Sequence, residues 1–175
     1  MIPELKSKYE ELENSKRDLI KFVDSLEQEK LNTQPEENKW SIVQIIFHLV
    51  KTERIAVITI TKGIKNIDST SETGLIENYR SLILLLSLRL PFKYKAPTIM
   101  RKVPEEYEIN ELKRKWEMIR NQIGNLLKEI KENDLNKIMF EHPYSGKMNI
   151  VQTLNFLNNH LERHFKQIKR TAEIL

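Results

Sequence analysis

The stretch that bears most directly on the fold is WSIVQIIFHLV, residues 40–50. Ser41 followed three residues later by Gln44 is the pattern of a capping box, in which each side chain bonds the backbone N–H of the other residue. Trp40 precedes the cap and can pack against the helix one turn inside it. The apolar run behind the cap therefore predicts a long helix that reaches about Gly63.

Helical spacing of apolar residues predicts three further long helices. The first covers about residues 3–28 and the third about residues 109–131. The fourth covers about residues 149–171, and its first residue again has a glutamine three positions later. More than thirty residues separate the second long helix from the third, which is enough for a long crossover. The other segments are predicted as connections: residues 31–38, 66–74, 91–104 and 141–146.

A short apolar run at residues 82–90 is almost entirely leucine and isoleucine. It is far shorter than the roughly 20 residues that a membrane-spanning helix needs. The run is therefore predicted to form a short extra helix between the second and third long helices. Two environments remain open for it, the protein interior and a contact with another subunit.

The composition indicates an all-α protein, a four-helix bundle in one domain that covers residues 1–175. Apolar residues make up 39% and charged residues 31%, with only four glycines and six prolines, a balance typical of amphipathic helices. A chain of 175 residues can bury one hydrophobic core. The N-terminal residues lack an apolar signal segment and no stretch could span a membrane, so we expect a cytoplasmic protein.

Cysteine content and charge narrow the possible chemistry. The chain has no cysteine, so disulfides, thiolate ligands and a cysteine nucleophile are excluded, and any metal must be bound by nitrogen or oxygen. The net charge of +4 arises from 29 basic and 25 acidic residues. The densest basic segment, residues 163–170, lies near the end of the fourth helix, where cations complement the helix dipole. We favour a solvated helix face there over a nucleic-acid interface.

Two histidines on the fourth helix, His160 and His164, form half of a candidate metal site. A spacing of four residues puts both on one helix face, about 6 Å apart where the side chains begin, so their ring nitrogens can converge on one ion. The zincin motif is absent, because Leu161 stands where that motif requires glutamate. Pairs of this kind also occur without metal, on helix surfaces or in cores.

His48 is the third candidate ligand. It lies in the apolar run of the second helix, where a buried imidazole needs a partner, either a hydrogen bond in the core or a metal ion. If the second and fourth long helices run antiparallel, His48 lies at the depth of His160 and His164 to within one or two turns. Three neutral imidazoles leave coordination positions open for water or a substrate, as in a catalytic site.

Four polar side chains are candidates for the surroundings of this site. Gln44 and Thr52 lie one turn either side of His48, although Gln44 suits a capping role equally well. Glu53 is about 140° around the helix from His48, which makes it a poor fourth ligand or base. His142 precedes a proline in the turn before the fourth helix, where it could be solvent-exposed or lie at the mouth of the site.

The sequence resembles the DinB/YfiT-like superfamily of four-helix metalloproteins. The shared features follow one another over most of the chain: residues 39–44 leading to His48-Leu49 and Glu53, Lys95-Ala96-Pro97, His142-Pro143-Tyr144-Ser145-Gly146, and His160 and His164 followed by Gln167-Ile168. The resemblance implies a bundle with a long crossover between the second and third long helices. It also implies that the second and fourth long helices are antiparallel.

The resemblance further implies one divalent metal ion, usually zinc or nickel, bound by His48, His160 and His164. It implies frequent homodimers. The chemistry assigned to members includes thiol S-transferases, which use a low-molecular-weight thiol as cosubstrate, and hydrolases. The expected partners are then a small-molecule substrate, such as a low-molecular-weight thiol, and a second copy of the chain, and we expect neither a nucleic acid nor a membrane.

Three functional hypotheses remain open at this point. The first is a metal-dependent enzyme in which the cation lowers the pKa of a thiol or water. The second is a non-catalytic binding or interaction module that the metal only stabilises. The third is a nucleic-acid or stress-response accessory protein, suggested by the positive charge and by the superfamily's association with damage-inducible genes. A simpler alternative is that all three histidines are structural. We favour the first.

Overall fold

The computed structural model describes residues 1–90 and 103–175, so most of the connection predicted at 91–104, with its Lys95-Ala96-Pro97 motif, lies outside the described residues. Short 3₁₀ turns at Ile67–Ser69 and Glu132–Asp134 and a two-stranded hairpin accompany the helices. The described ranges contain six α-helices: α1 (Pro3–Asp24), α2 (Gln28–Asn32), α3 (Ile42–Lys65), α4 (Leu75–Arg89), α5 (Ile109–Glu129) and α6 (Ile150–Ile174).

The four long helices α1, α3, α5 and α6 form the bundle, with α3 packed between α5 and α6. Helices α3 and α5 run parallel, because Gln44 near the start of α3 reaches Pro104 just before α5, and Glu53 further along reaches Arg120. Parallel neighbours cannot be joined by a short turn. The predicted long crossover is thereby explained and confirmed, and α4 lies within it.

Helices α3 and α6 run antiparallel, as the resemblance implies. The first turns of α3 place His48 opposite the middle of α6, where His160 lies. The other end of α3, at Gly63, packs against Met139 in the hairpin that leads directly into α6. Residues 48 and 160, which are 112 positions apart, are therefore brought to the same level of the bundle.

Both predicted capping boxes are present. Ser41 and Gln44 exchange side-chain and backbone hydrogen bonds of 2.9 and 3.2 Å at the start of α3. Asn149 and Gln152 do the same at 3.1 and 2.9 Å at the start of α6. These caps bond backbone N–H groups that have no partner within a helix, and so fix where the two ligand-bearing helices begin.

The first helix ends sooner than predicted. Helix α1 stops at Asp24, and the hydroxyl of Ser25 donates to the carbonyl of Phe22 at 2.7 Å. The chain then forms the short helix α2, which includes residues 31 and 32 of the predicted loop. The predicted end at about residue 28 was wrong because Leu26 continues the apolar spacing two residues beyond the last residue of α1.

A β-hairpin precedes α6, where only a turn is predicted. Strand β1 (Ile138–His142) pairs antiparallel with β2 (Gly146–Asn149), and Phe140 lies opposite Met148. Gly146 has a φ of 77°, which glycine adopts without strain. An irregularity in the pairing between Ile138 and Phe140 breaks the alternation of buried and exposed residues. Without that alternation the strands have no clear sequence signal.

The short apolar helix predicted at residues 82–90 is longer than predicted, and several of its apolar side chains are exposed. Helix α4 packs against α6 and β2, with Leu84 and Leu88 against the core. Leu82, Ile83 and Leu86 are 55%, 46% and 50% exposed. The alternative that these three residues lie in the protein interior is therefore wrong. None of the helices among the described residues combines the length and apolar character needed to cross a membrane.

Close packing of α3 on the hairpin leads to a first prediction. A Cβ atom on Gly63 would lie 2.7 Å from the Cα atom of Met139 and 2.9 Å from its carbonyl oxygen. Backbone atoms of a paired strand cannot rotate away, so Gly63→Ala should lower the free energy of unfolding by about 1–3 kcal/mol. This loss is expected although alanine ordinarily stabilises a helix interior by about 0.5–1 kcal/mol relative to glycine.

Urea denaturation of the Gly63→Ala variant measures the effect. The matched control is Lys62→Ala, an exposed neighbour in the same helical turn, which should change the free energy of unfolding by less than about 0.5 kcal/mol. A Gly63→Ala variant as stable as the control would show that α3 and the hairpin are not in such close contact.

Candidate metal centre

The three predicted ligands meet between α3 and α6. The Nε2 atom of His160 lies 3.2 Å from the Nε2 atom of His48 and 3.2 Å from the Nε2 atom of His164. Candidate ligand atoms of all three residues lie within 4.8 Å of one another. The caps at Ser41 and Asn149 fix where α3 and α6 begin, and these starting points determine the level at which the histidines of the two helices lie.

The spacing of the nitrogens fits a divalent ion. Zinc–imidazole bonds are about 2.0–2.1 Å long, and tetrahedral angles then separate two ligand nitrogens by about 3.3 Å. The two Nε2 separations of 3.2 Å agree with that value. His48, His160 and His164 could therefore hold one ion with little movement, and a three-histidine set would leave at least one coordination position open.

Gln167 holds the imidazole of His164 in the tautomer that a metal ligand requires. The Nδ1 atom of His164 lies 2.9 Å from Oε1 of Gln167. Because an amide oxygen can only accept, Nδ1 carries the ring proton and the Nε2 lone pair faces the site. From the sequence alone, Gln167 is recognised only as part of the motif that follows His164. Its position one helical turn after His164 is the signal that could have identified this role.

The hydrogen bond between His164 and Gln167 leads to a second prediction. Removing the outer partner of a ligating histidine typically weakens metal affinity by about 10–100-fold, so Gln167→Ala should do the same. Competition titration with a chromogenic chelator measures the change, and Lys166→Ala, at the exposed position beside it, is the control. Equal affinity in the Gln167→Ala variant and the wild type would show that this hydrogen bond does not orient a metal ligand.

The site keeps two of its imidazoles neutral. Burial lowers the pKa of His164 to about 4. Burial, followed by the nearby His164 and His48 rings, lowers the pKa of His160 well below its ordinary value. Parts of His160 and His164 nevertheless remain accessible to solvent, whereas His48 is buried with its ring centroid 5.2 Å from that of Trp40. Neutral nitrogens are the form that binds a metal ion.

Gln44 and Thr52, the two predicted neighbours of His48, are both buried and both bond the backbone. In addition to its capping bond, the Gln44 side chain donates to the carbonyl of Pro104 at 3.0 Å. The Thr52 hydroxyl donates to the carbonyl of His48 at 2.9 Å. The Thr52 bond lies within the helix that carries His48. The Gln44 bond connects that helix to the segment before α5. They do not direct either polar group at the three histidine nitrogens.

Glu53 belongs to a buried ion pair on the other side of α3, as its angle from His48 suggests. Its Oε2 atom accepts hydrogen bonds from Nε of Arg120 at 2.6 Å and Nε1 of Trp116 at 2.8 Å. Its Oε1 atom accepts from Arg120 at 2.7 Å. Glu53 is 2% exposed and Arg120 is fully buried. With both oxygens engaged, Glu53 joins α3 to α5 and is unsuited to be a fourth ligand.

His142 is buried, so the solvent-exposed alternative for it is wrong. Only 9% of the residue is exposed, and its Nδ1 atom accepts from the backbone N–H groups of Tyr144 at 3.2 Å and Ser145 at 3.1 Å. Its ring packs edge-on against Phe156, with ring centroids 4.6 Å apart, and Phe156 lies 5.4 Å from His160. His142 is thus separated from the candidate ligands by one aromatic ring.

A third prediction concerns pH. Burial lowers the pKa of His142 to about 4, against an ordinary value of 6.5. Between these pH values the unfolded chain binds more protons than the folded one, so the free energy of unfolding falls as pH decreases from 6.5 towards 4. His142 should contribute about 1.4 kcal/mol per pH unit in the middle of this window, and nothing above it.

Denaturation in the presence of a chelator at pH 7, 5.5 and 4.5 tests this slope. His142→Asn is the informative variant, because an amide oxygen can accept from the turn N–H groups without titrating. The slope should decrease in the variant while the acidic loss due to His164 remains. If wild type and variant have the same slope, the neutral buried state of His142 is contradicted.

The chain resembles known proteins in sequence and in fold. A family model of the DinB superfamily matches residues 11–168. The uncharacterized protein YuaE of Bacillus subtilis (strain 168) is 25% identical over 148 residues, which covers 85% of this chain and 86% of YuaE.

Among solved structures, the chain is similar to YfiT from Bacillus subtilis, described as a probable metal-dependent hydrolase with an unusual four-helix bundle topology. The TM-score is 0.63 at 15% identity, and the match covers 99% of this chain and 89% of YfiT. This similarity supports the fold alone. Because the family model spans nearly the whole sequence, the chain belongs to the DinB superfamily.

Proposed function

We propose that this protein is a metal-dependent enzyme in which His48, His160 and His164 hold one divalent ion that activates a low-molecular-weight thiol or water. The observation that carries the proposal is the convergence of three Nε2 atoms at spacings suited to one ion. The description of the similarly folded YfiT as a probable metal-dependent hydrolase supports it. Hydrolysis and thiol transfer are the two reaction classes we consider.

Zinc and nickel are the ions that we propose. Imidazole nitrogen suits both metals, and the absence of cysteine leaves no thiolate ligand that would favour softer ions. When bound, an ion with three neutral imidazole ligands supplies a Lewis acid that lowers the pKa of a water or thiol at its open position. The partial exposure of His160 and His164 suits access by a small molecule.

The residues of this chain prepare the site. Gln167 fixes the orientation of His164, and the buried α3 backbone holds His48 in place. The rings of Trp40 and Phe156 lie beside His48 and His160, where they reduce contact between the site and bulk water. A drier environment strengthens the interaction between a cation and an incoming anionic group.

Thiol activation is favoured over hydrolysis by the state of Glu53. A metal-assisted hydrolase commonly uses a carboxylate base beside its metal. Glu53, the acidic residue close to His48 in the sequence, has both oxygens bonded to Arg120 and Trp116. A thiol needs less help, because a cation can lower its pKa enough for deprotonation without a base. The second substrate would then be a small electrophile.

A second candidate function is a non-catalytic module in which the ion joins two helices. It is favoured by the position of the site, which bridges α3 and α6 and would stabilise the bundle if filled. The two candidates differ in whether the ion has a position that small molecules can reach. We consider a nucleic-acid role less well supported than either candidate, because the proposed metal site would take a small-molecule substrate.

Cobalt substitution separates the two candidates. Addition of small thiols to the cobalt-loaded protein should produce a thiolate charge-transfer band if a position is open, and no band if the site is closed. Wild-type protein loaded with zinc or nickel should then form a thioether from a thiol and an alkyl halide, as the carbon–halogen bond breaks and halide and the thiol proton are released, while His160→Ala should not. An unchanged cobalt spectrum, with no thioether formed and no activated ester hydrolysed, would support the non-catalytic module.

A further inference from the structure

The imidazole of His142 has one nitrogen that accepts hydrogen bonds and one that must donate. Its Nδ1 atom accepts from the backbone N–H groups of Tyr144 at 3.2 Å and Ser145 at 3.1 Å. A ring nitrogen that accepts these bonds cannot carry the proton, so the hydrogen of the neutral imidazole is on Nε2. His142 therefore presents an N–H donor that is directed away from the Tyr144–Ser145 backbone.

This Nε2–H group has no hydrogen-bond partner within residues 1–90 and 103–175. Only 9% of His142 is exposed, so bulk water has little access to the donor. Buried donors in folded proteins almost always have an acceptor, because an unmade hydrogen bond destabilises the folded state. An unused donor in a buried histidine therefore calls for an acceptor that this part of the chain does not supply.

The unused donor lies close to the candidate metal centre. The ring centroid of Phe156 is 4.6 Å from that of His142 and 5.4 Å from that of His160. The sum of these distances, 10.0 Å, is the upper limit of the separation between the rings of His142 and His160. His142 is not one of the three residues whose nitrogens converge. It is therefore suited to contact a ligand of the ion and not the ion itself.

We propose that the Nε2–H group of His142 donates a hydrogen bond to an oxygen of the small molecule that binds at the open metal position, and thereby favours thiols that carry a carboxylate. This inference rests on the proposed function. A three-carbon thiol carries its carboxylate about 5 Å from the sulfur, a length that fits within the separation of the two rings. His142 is in this account a residue that determines substrate specificity.

The surroundings of His142 prepare the donor for this role. The two backbone bonds at Nδ1 and the edge-on packing against Phe156 fix the ring before a ligand arrives, which reduces the entropy lost on binding. The neutral N–H group also places no second positive charge beside a divalent ion. Hydrogen bonds that involve a charged group typically contribute about 10-fold or more to an equilibrium constant.

Nitrogen-15 NMR of metal-free protein with labelled histidines tests the tautomer. The signals of His142 are assigned by their absence from the His142→Asn variant. At pH 7 they should show a protonated Nε2 and an unprotonated Nδ1. A protonated Nδ1 would overturn the proposal, and this measurement requires neither a bound metal nor enzymatic activity.

Thiol binding to the cobalt-loaded protein tests the specificity. The charge-transfer band should be titrated with 3-mercaptopropionate and with 1-propanethiol, which has a methyl group in place of the carboxylate. The wild type should bind 3-mercaptopropionate about 10-fold more tightly than 1-propanethiol. His142→Asn accepts from the turn but lacks a donor at the position of Nε2, so it should lose this preference. Its affinities for 1-propanethiol and for cobalt should not change.

His142→Gln is the matched variant, because its longer side chain places an amide N–H group near the position of Nε2. It should keep most of the preference for 3-mercaptopropionate. A wild type with equal affinity for the two thiols, or a His142→Asn variant with the full preference, would overturn the proposal and leave the open metal position intact. A band with neither thiol would instead reject the proposed function, and this inference with it.

Discussion

The variant His160→Ala is expected to bind zinc or nickel at least about 100-fold more weakly than the wild type. His160 occupies the central position, since its Nε2 atom lies 3.2 Å from the Nε2 atoms of both His48 and His164. Without it only two ligand nitrogens remain. The loss should exceed that for Gln167→Ala, because a direct ligand contributes more than the residue that orients one. Competition titration with a chromogenic chelator measures both.

His142→Asn is the control for this experiment. It removes the fourth histidine of the chain, which lies behind Phe156 and outside the three-nitrogen cluster, and it should keep wild-type metal affinity. Circular dichroism should show the same helical content in all variants. A His160→Ala variant with wild-type affinity would mean that the metal, if bound, is held elsewhere.

The second large effect is expected on stability. Arg120→Ala should lower the free energy of unfolding by about 3–5 kcal/mol, because it leaves the carboxylate of Glu53 buried without its partner. Arg120 is fully buried and makes two hydrogen bonds to Glu53 at 2.6 and 2.7 Å, and a third to Glu13 at 3.1 Å. Urea denaturation of metal-free protein measures the loss.

Two further variants distinguish a missing partner from a general loss of packing. Glu117→Gln changes an exposed carboxylate that pairs with Lys16, and it should alter the free energy of unfolding by less than about 1 kcal/mol. Combining Arg120→Met with Glu53→Gln removes both charges and keeps an amide oxygen that can accept from Nε1 of Trp116, so it should restore most of the lost stability. If the double variant is no more stable than Arg120→Ala, an unpaired buried charge is not the cause.

The parts of the fold that the sequence predicts well are those with local signals. Capping boxes place a serine or asparagine three residues before a glutamine, so the starts of α3 and α6 could be assigned to the residue. The four-residue spacing of His160 and His164 fixes their common face on any helix. His48 could be added because a polar ring in an apolar run needs a partner, and antiparallel helices bring the three together.

The parts that could not be predicted depend on contacts between distant residues. Glu53 and Arg120 are 67 positions apart, and nothing near either residue in the sequence shows that each is buried with the other. The hairpin lacks regular alternation, since its pairing is irregular near Met139. The apolar run of α4 has leucines on all sides, so its spacing does not distinguish the core face from the outer one.

Metal content most directly tests the central claim, that three histidines form one metal site. Elemental analysis of protein purified without a histidine tag, and reconstituted with zinc or nickel, should give about one equivalent per chain for the wild type. His48→Ala and His164→Ala should lose it, although they lie on different helices. A wild type that retains no metal, or variants that retain a full equivalent, would contradict the site and the enzyme proposed from it.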